Sequence, residues 1–195
     1  MDRNCISPSG NYSIEYEEHP EAVIVKVINK LRDDDDQVIY TYKQRKTYRP
    51  FSDFIIINGD EWWVSGRDYM LQLFVNCVTG EVYDDPNKIE NTDEYKKGSC
   101  FIWKACPIVS PDGKYLFVDG CYWACPYEWK LYDISNLGGG GGYKEIDLLD
   151  DITILDGAEG IEDEIIVDSD LFSFKFASNK KVEIYKKDYV GYFEL

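Results

Sequence analysis

The segment Ser110-Pro111-Asp112-Gly113-Lys114-Tyr115-Leu116 encodes a tight turn that runs into a β-strand. Proline presets φ at the first central position, aspartate bonds to its own backbone, and glycine accepts a positive φ. Apolar residues flank the turn with strand-like spacing: Phe101, Trp103 and Cys106-Pro107-Ile108-Val109 before it, Tyr115-Leu116-Phe117-Val118 after it. That combination is a hairpin signature. The same turn occurs upstream as Ser7-Pro8-Ser9-Gly10-Asn11-Tyr12, with its glycine 103 residues before Gly113. Ile57-Asn58-Gly59-Asp60-Glu61-Trp62 is a weaker copy, and Gly160-Ile161-Glu162-Asp163-Glu164-Ile165 a weaker one still. Gly10, Gly59, Gly113 and Gly160 are spaced by 49, 54 and 47 residues, which marks an internal repeat.

A second hairpin follows each anchor. Ala22–Ile28 leads through Asp33–Asp36 to Gln37–Tyr42, and Met70–Val75 through Asn76–Gly80 to Glu81-Val82-Tyr83. Glu128–Asp133 leads through the five-glycine run Gly138–Gly142 to Tyr143–Ile146. Leu171–Phe176 leads through Ala177–Lys180 to Lys181–Tyr185, and this last pair alternates with period two. At about four strands per unit this predicts about sixteen strands. The chain of 195 residues reads as one domain, with units at about 1–50, 51–99, 100–147 and 148–195. The polar stretch Asp84–Gly98 reads as a connection between units.

The Ser-Pro-Asp-Gly-Lys-Tyr-Leu turn, followed by Leu131-Tyr132-Asp133-Ile134-Ser135, resembles a blade of the WD-repeat-like β-propellers. Asn76-Cys77-Val78-Thr79-Gly80-Glu81-Val82-Tyr83 looks like the turn between the outer strands of such a blade. The resemblance is clearest over residues 107–135. There is no Gly-His pair and no Trp-Asp dipeptide, so that family's structural hydrogen-bond set is not carried over. The resemblance implies an all-β fold of four antiparallel-hairpin units, a small four-bladed or incomplete propeller; the alternative is a two-sheet β-sandwich. The terminal stretch Asp188–Leu195 is expected to pair with the first unit and close the ring, the other arrangement being an open array that pairs with another copy.

Composition excludes several functions. The net charge of −16 argues against direct contact with nucleic-acid phosphates and against anionic membrane surfaces. No apolar run approaches the roughly 18 residues of a membrane span. The first ten residues carry no apolar stretch of signal-peptide type, so a cytoplasmic or virion-associated protein is expected, with reduced cysteines. Of Cys5, Cys77, Cys100, Cys106, Cys121 and Cys125, only Cys121 and Cys125 have the spacing of paired zinc ligands, and buried packing is the simpler reading for all six. His19 is the single histidine and sits in a turn-like Glu17-Glu18-His19-Pro20, which disfavours histidine-based acid–base catalysis. Neither a metal nor a cofactor is expected, and no catalytic residue is assigned.

The segment Gly120–Trp129 packs two Trp, two Tyr and two Cys between Cys121 and Trp129. Aromatic residues fill cores, but they also dominate recognition hot spots. Tyr122, Trp123, Tyr127 and Trp129 are therefore candidate binding residues, joined by Arg67 and Asp68 from the corresponding loop of the second unit. Lys43–Arg49 is a basic island that suits a protected edge strand or an acidic partner. Asp147–Asp170 holds ten acidic side chains and no basic one. The expected function is a non-catalytic protein-interaction or assembly module with a protein partner. The abundance of Ile, Lys, Asn, Asp and Tyr points to an AT-rich genome such as that of a protist or a large virus. Two alternatives stand beside it: an acidic mimic of nucleic acid, and a carbohydrate-active or carbohydrate-binding protein using a carboxylate pair such as Asp119 with Glu128.

Overall fold

The computed structural model describes residues 5–30, 37–46, 51–67, 71–83, 101–103, 107–122, 127–137, 142–146, 152–154, 173–179, 181–185 and 189–194. Over these residues the protein is all-β, with sixteen strands in four antiparallel sheets. It divides into two compact units, Met1–Lys97 and Gly98–Leu195.

In the first unit, β1 (Tyr12–Glu18), β2 (Ala22–Asn29) and β3 (Gln37–Arg45) form the first sheet in that order. β4 (Ser52–Ile57), β5 (Asp60–Arg67), β6 (Leu71–Asn76) and β7 (Val82–Tyr83) form the second sheet, also in chain order. β1 obeys the strand period: Tyr12 and Ile14 are buried while Glu15 and Glu17 are exposed. β2 is rich in Val and Ile, which suit the pleated interior position it occupies. The core is shared face to face: Tyr12, Ile14, Val25, Val27 and Tyr42 of the first sheet meet Phe54, Trp63, Leu73, Val75 and Cys77.

In the second unit, the third sheet has the order β12-β11-β10-β8, with β9 also on β10. Its strands are β8 (Ile102–Trp103), β9 (Ile108–Val109), β10 (Tyr115–Cys121), β11 (Tyr127–Asp133) and β12 (Lys144–Ile146). The fourth sheet comprises β13 (Ile152–Ile154), β14 (Ser173–Ser178), β15 (Lys181–Tyr185) and β16 (Tyr189–Glu194) in the order β13-β16-β15-β14. Phe117 and Leu131 of the third sheet pack with Val182 and Ile184 of the fourth.

Every sheet is a contiguous stretch of chain. A sandwich with Greek-key connections would exchange strands between its sheets, which does not occur among the described residues, so the hairpin-repeat architecture is the one observed there. The repeat also holds at atomic detail. Gly10, Gly59 and Gly113 all have positive φ, at 78°, 88° and 73°. In the two closest copies the Ser7 and Ser110 amides donate to the Tyr12 and Tyr115 carbonyls, both at 2.9 Å. The Gly10 and Gly113 amides donate back to the Ser7 and Ser110 carbonyls, again at 2.9 Å. Tyr12, Trp62 and Tyr115 pair with Asn29, Asn76 and Asp133 in their respective sheets. Just beyond each pair one backbone bond recurs: Lys30 N–H to Asn11, Cys77 N–H to Glu61 and Ile134 N–H to Lys114, at 2.8, 2.9 and 2.8 Å.

One expectation falls outside the described residues and another meets a different outcome. Gly160, the fourth anchor, lies outside the described residues. The C-terminal strand does not pair with the first unit: β16 lies between β13 and β15 of its own sheet, so both of its edges are used there. β13 precedes β14 in the chain yet takes the position next to β16 that β7 takes next to β6.

Candidate interaction surface

Tyr122, the residue that follows β10, is held from within. Lys130, buried on β11, donates from Nζ to the Tyr122 hydroxyl at 2.9 Å and to the Glu145 carboxylate at 2.5 Å. The same ammonium lies 5.0 Å from the Phe101 ring centroid and 5.1 Å from that of Tyr122. Burial pulls the Lys130 pKa down, but the bonds from Glu145 and Tyr122 outweigh it and the net shift is upward. Gly120 makes room for this box: a Cβ there would lie 2.3 Å from the Ile102 carbonyl oxygen and 2.7 Å from the Phe101 ring. On the same sheet, Trp103 stacks with Tyr132 at 5.9 Å, and Tyr143 meets Tyr132 edge-on at 5.1 Å.

The expected binding residues are distributed as follows. Tyr122 is half-buried and serves the Lys130 box. Trp129 is half-buried in the core of the second unit, 4.5 Å from Phe174 in an edge-on contact and 6.3 Å from Phe117. Tyr127 opens β11 and Arg67 closes β5. Trp123 and Asp68 lie outside the described residues, as do Cys100, Cys106 and Cys125. Thus Tyr122 and Trp129 are brought onto one β10–β11 hairpin but are committed to packing. Arg67 stands at the corresponding place in its own sheet, the end of the first of the two middle strands.

The carboxylate pair Asp119 with Glu128 is split by the sheet. Asp119 pairs with Trp129 and Gly120 with Glu128, so the two side chains point to opposite faces and cannot flank one scissile bond. Among the described residues, no group of three or more His, Cys, Asp or Glu side chains could hold a metal ion. Of the basic island, Lys43 and Lys46 are exposed on or beside β3, at the end of the first sheet's order, while Gln44 is buried and accepts the Tyr42 hydroxyl at 3.0 Å. Only Ile152–Ile154 of the acidic stretch are described.

A different surface emerges at one end of the first unit. The turns Ser7–Gly10, Asn58–Gly59 and Asn76–Gly80 all lie at the end where β1, β3, β5 and β7 begin. Glu61 ties the first turn to the second sheet: it accepts from the Ser9 amide at 2.7 Å, the Ser9 hydroxyl at 2.6 Å and the Ser7 hydroxyl at 3.1 Å. A Cβ on Gly80 would lie 3.7 Å from Ile39, which brings the third turn beside the start of β3. Asn76 Oδ1 accepts from the Val78 and Thr79 amides at 2.8 and 3.0 Å and shapes that turn.

Near these strand ends stand exposed apolar side chains on different faces: Ile6 and Val38 share the parity of Ser13 and Ile28 on the side of the first sheet turned from the second, and Ile56 shares the parity of Phe54 on the facing side. Ile6 precedes Ser7, and Ile56 pairs with Glu61. Val38 precedes Ile39, and Val78 lies two residues before Gly80. Their exposures are 56% for Ile6, 49% for Ile56, 48% for Val38 and 60% for Val78. Among the described residues the remaining exposed large apolar side chain is Tyr143. Ile56 is exposed beside a turn on a terminal strand of its sheet.

The fold and this surface define an all-β protein of four antiparallel sheets, arranged as blade-like hairpin units. No family model matches the chain. It is similar to an uncharacterized protein, R762, of Acanthamoeba polyphaga mimivirus, at 28% identity over 202 residues, which covers 95% of this chain and 73% of that protein. TolB from Acinetobacter baumannii, a β-propeller protein, overlaps it with a TM-score of 0.40 and 10% identity, over 99% of this chain and 43% of TolB. The chain spans less than half of TolB's length, and the strand order of the sheets, not this overlap, defines the fold.

Proposed function

We propose that the protein is a non-catalytic protein-interaction module of a large virus, in the cytoplasm or in the virion, and that it docks through the turn-bearing end of its first unit. One observation carries the reading: Ile6, Val38, Ile56 and Val78, the exposed large apolar side chains described in that unit, all stand near the strand ends that carry its turns. Exposed apolar side chains concentrated at one end of a unit are favourable contacts for a partner that covers them. The proposal departs from the aromatic connection because Tyr122 and Trp129 are spent on internal contacts. Similarity to a mimivirus protein supports the viral assignment.

The test is quantitative mass spectrometry of proteins that co-purify with the wild type and with an Ile56→Ser/Val78→Ser variant from the native source. A partner retained in high salt by the wild type and depleted at least about tenfold with the variant is the expected result. Equal recovery with both would refute the docking site. A nucleic-acid-binding partner released from both by modest salt would favour the acidic-mimic alternative instead.

A further inference from the structure

Asn58-Gly59 is the single Asn-Gly step in the chain; every other asparagine precedes a residue with a side chain. The pair forms the two-residue connection between β4 and β5, closed by the Ile57–Asp60 pair. Asn58 has φ 53° and Gly59 φ 88°, the positive values that a two-residue hairpin turn requires at both central positions. Both residues are exposed. The other turn glycines are tied down: the Gly10, Gly80 and Gly113 amides donate to the Ser7, Asn76 and Ser110 carbonyls, each at 2.9 Å. Among the described residues the Gly59 amide has no such partner, and the Asn58 carboxamide has no hydrogen bond. Asn76, by contrast, uses both ends of its carboxamide, accepting from Val78 and Thr79 and donating to Asp60. A Cβ at Gly59 would meet nothing within 4 Å, so the space beside its nitrogen is open.

We propose that Asn58 is a site of spontaneous covalent modification, to aspartate and isoaspartate. The Gly59 amide nitrogen attacks Asn58 Cγ: the N–Cγ bond forms, the Cγ–Nδ2 bond breaks, and ammonia leaves with the amide proton. Water, the co-reactant, then opens the five-membered imide. Addition at Cγ gives aspartate; addition at the main-chain carbonyl gives isoaspartate, in which the chain runs through Cγ. Nothing is oxidised or reduced. Ring closure joins two groups already held next to each other, so it needs no enzyme. In the left-handed turn the Asn58–Gly59 peptide plane must rotate first, which makes the folded protein react more slowly than an unfolded chain. The reaction still proceeds, because neither group must give up a hydrogen bond. The isoaspartate product adds one backbone atom to a turn of two residues. That turn lies between Ile57, which is fully buried, and the Asp60-Glu61 start of β5. Glu61 accepts from the Ser9 amide at 2.7 Å, so the longer turn loosens the hold of the second sheet on the first turn. This inference stands independently of the docking reading.

The test ages the folded wild type and Asn58→Gly in mildly alkaline buffer, beside wild type held in denaturant. Asn58→Gly removes the carboxamide while keeping a residue that accepts the positive φ of the turn, so it folds. Peptide mapping by mass spectrometry follows the amide-to-acid mass gain at each asparagine, and an isoaspartyl-specific methyltransferase with labelled methyl donor marks the isoaspartate. In the folded wild type, position 58 should convert at least about tenfold faster than any other described asparagine, giving both acids. The same peptide of Asn58→Gly should gain no mass and no label. In the isoaspartate fraction, separated by anion exchange, the Ser9 amide should exchange its hydrogen at least about tenfold faster than in fresh protein. An Asn58 that stays intact in the folded protein while the denatured chain converts would overturn the proposal, because the turn would then protect it. Faster conversion at another described asparagine, or no conversion at position 58 in either state, would overturn it as well. Unchanged exchange at Ser9 in the isoaspartate fraction would overturn the link to the first turn.

Discussion

Cys77 sits at the second position of the Asn76–Gly80 turn, its amide bonded to the Glu61 carbonyl at 2.9 Å and its side chain in the core of the first unit. Burial pushes its thiol pKa up to about 12, against the ordinary 9.0. A thiol reacts as thiolate, so Cys77 should resist iodoacetamide at pH 8 in the native protein and label fully once denatured. The linkage has a definite sign. The folded pKa is raised, so the stabilising contribution is complete below pH 9 and is lost as pH climbs toward about 12. Burial raises Tyr12 and Tyr16 in the same sense, and the net rise at Lys130 acts likewise above pH 10.5. Thermal melts should therefore fall by roughly 5 °C or more between pH 9 and 11, with a shallower fall in Cys77→Ala. A melting temperature flat across that range would contradict the burial assigned to these groups.

Residue identity also explains how the turns were read from sequence. Ser7 and Ser110 are both buried, and the Tyr12 and Tyr115 amides donate to their hydroxyls at 3.2 and 2.9 Å. Ser9 and Asp112 then play one part with different chemistry: the Ser9 hydroxyl and the Asp112 carboxylate accept from the Asn11 and Lys114 amides at 3.1 and 3.2 Å. Their own amides reach across to the neighbouring sheet of the same unit, Ser9 to Glu61 at 2.7 Å and Asp112 to Asn179 at 3.0 Å. The turn was legible because its backbone geometry demands Pro, Asx or Ser, and Gly. The cross-sheet partner was not, because Glu61 and Asn179 lie 52 and 67 residues away and share no residue type.

Strands bounded by such turns were legible for the same reason. β2 and β6 are largely apolar runs that end in Asn and lead through Asp33–Asp36 and Asn76–Gly80 to their partners β3 and β7, and β14 leads through Ala177–Lys180 to β15. β13 shows the limit. Ile152-Thr153-Ile154 pairs with Gly191-Tyr192-Phe193, and nothing local in the sequence encodes a partner so distant. The terminal stretch was read as a strand, but its neighbours were set by that long-range pairing. Trp129 shares the strand parity of Leu131 and packs in the core of the second unit, while Lys130 and Tyr132 of the opposite parity are buried as well. β16 is the interior strand that joins β13 to β15, so deleting residues 189–195 removes two ladders at once. Calorimetry of that truncation should show a melting temperature lower by at least about 10 °C. A change within error would mean that β16 contributes nothing to the fourth sheet.

At the scale of the molecule, each unit is a pair of antiparallel sheets around its own core, and the first unit carries the exposed apolar side chains Ile6, Val38, Ile56 and Val78 at its turn-bearing strand ends. The most direct measurement of the account is site-specific photo-cross-linking in the native source, with a photo-reactive phenylalanine analogue placed in turn at positions 78, 43 and 127. The account predicts a covalent adduct with a protein partner from position 78 and none from positions 43 or 127. An adduct from position 127 or 43, with none from position 78, would contradict it.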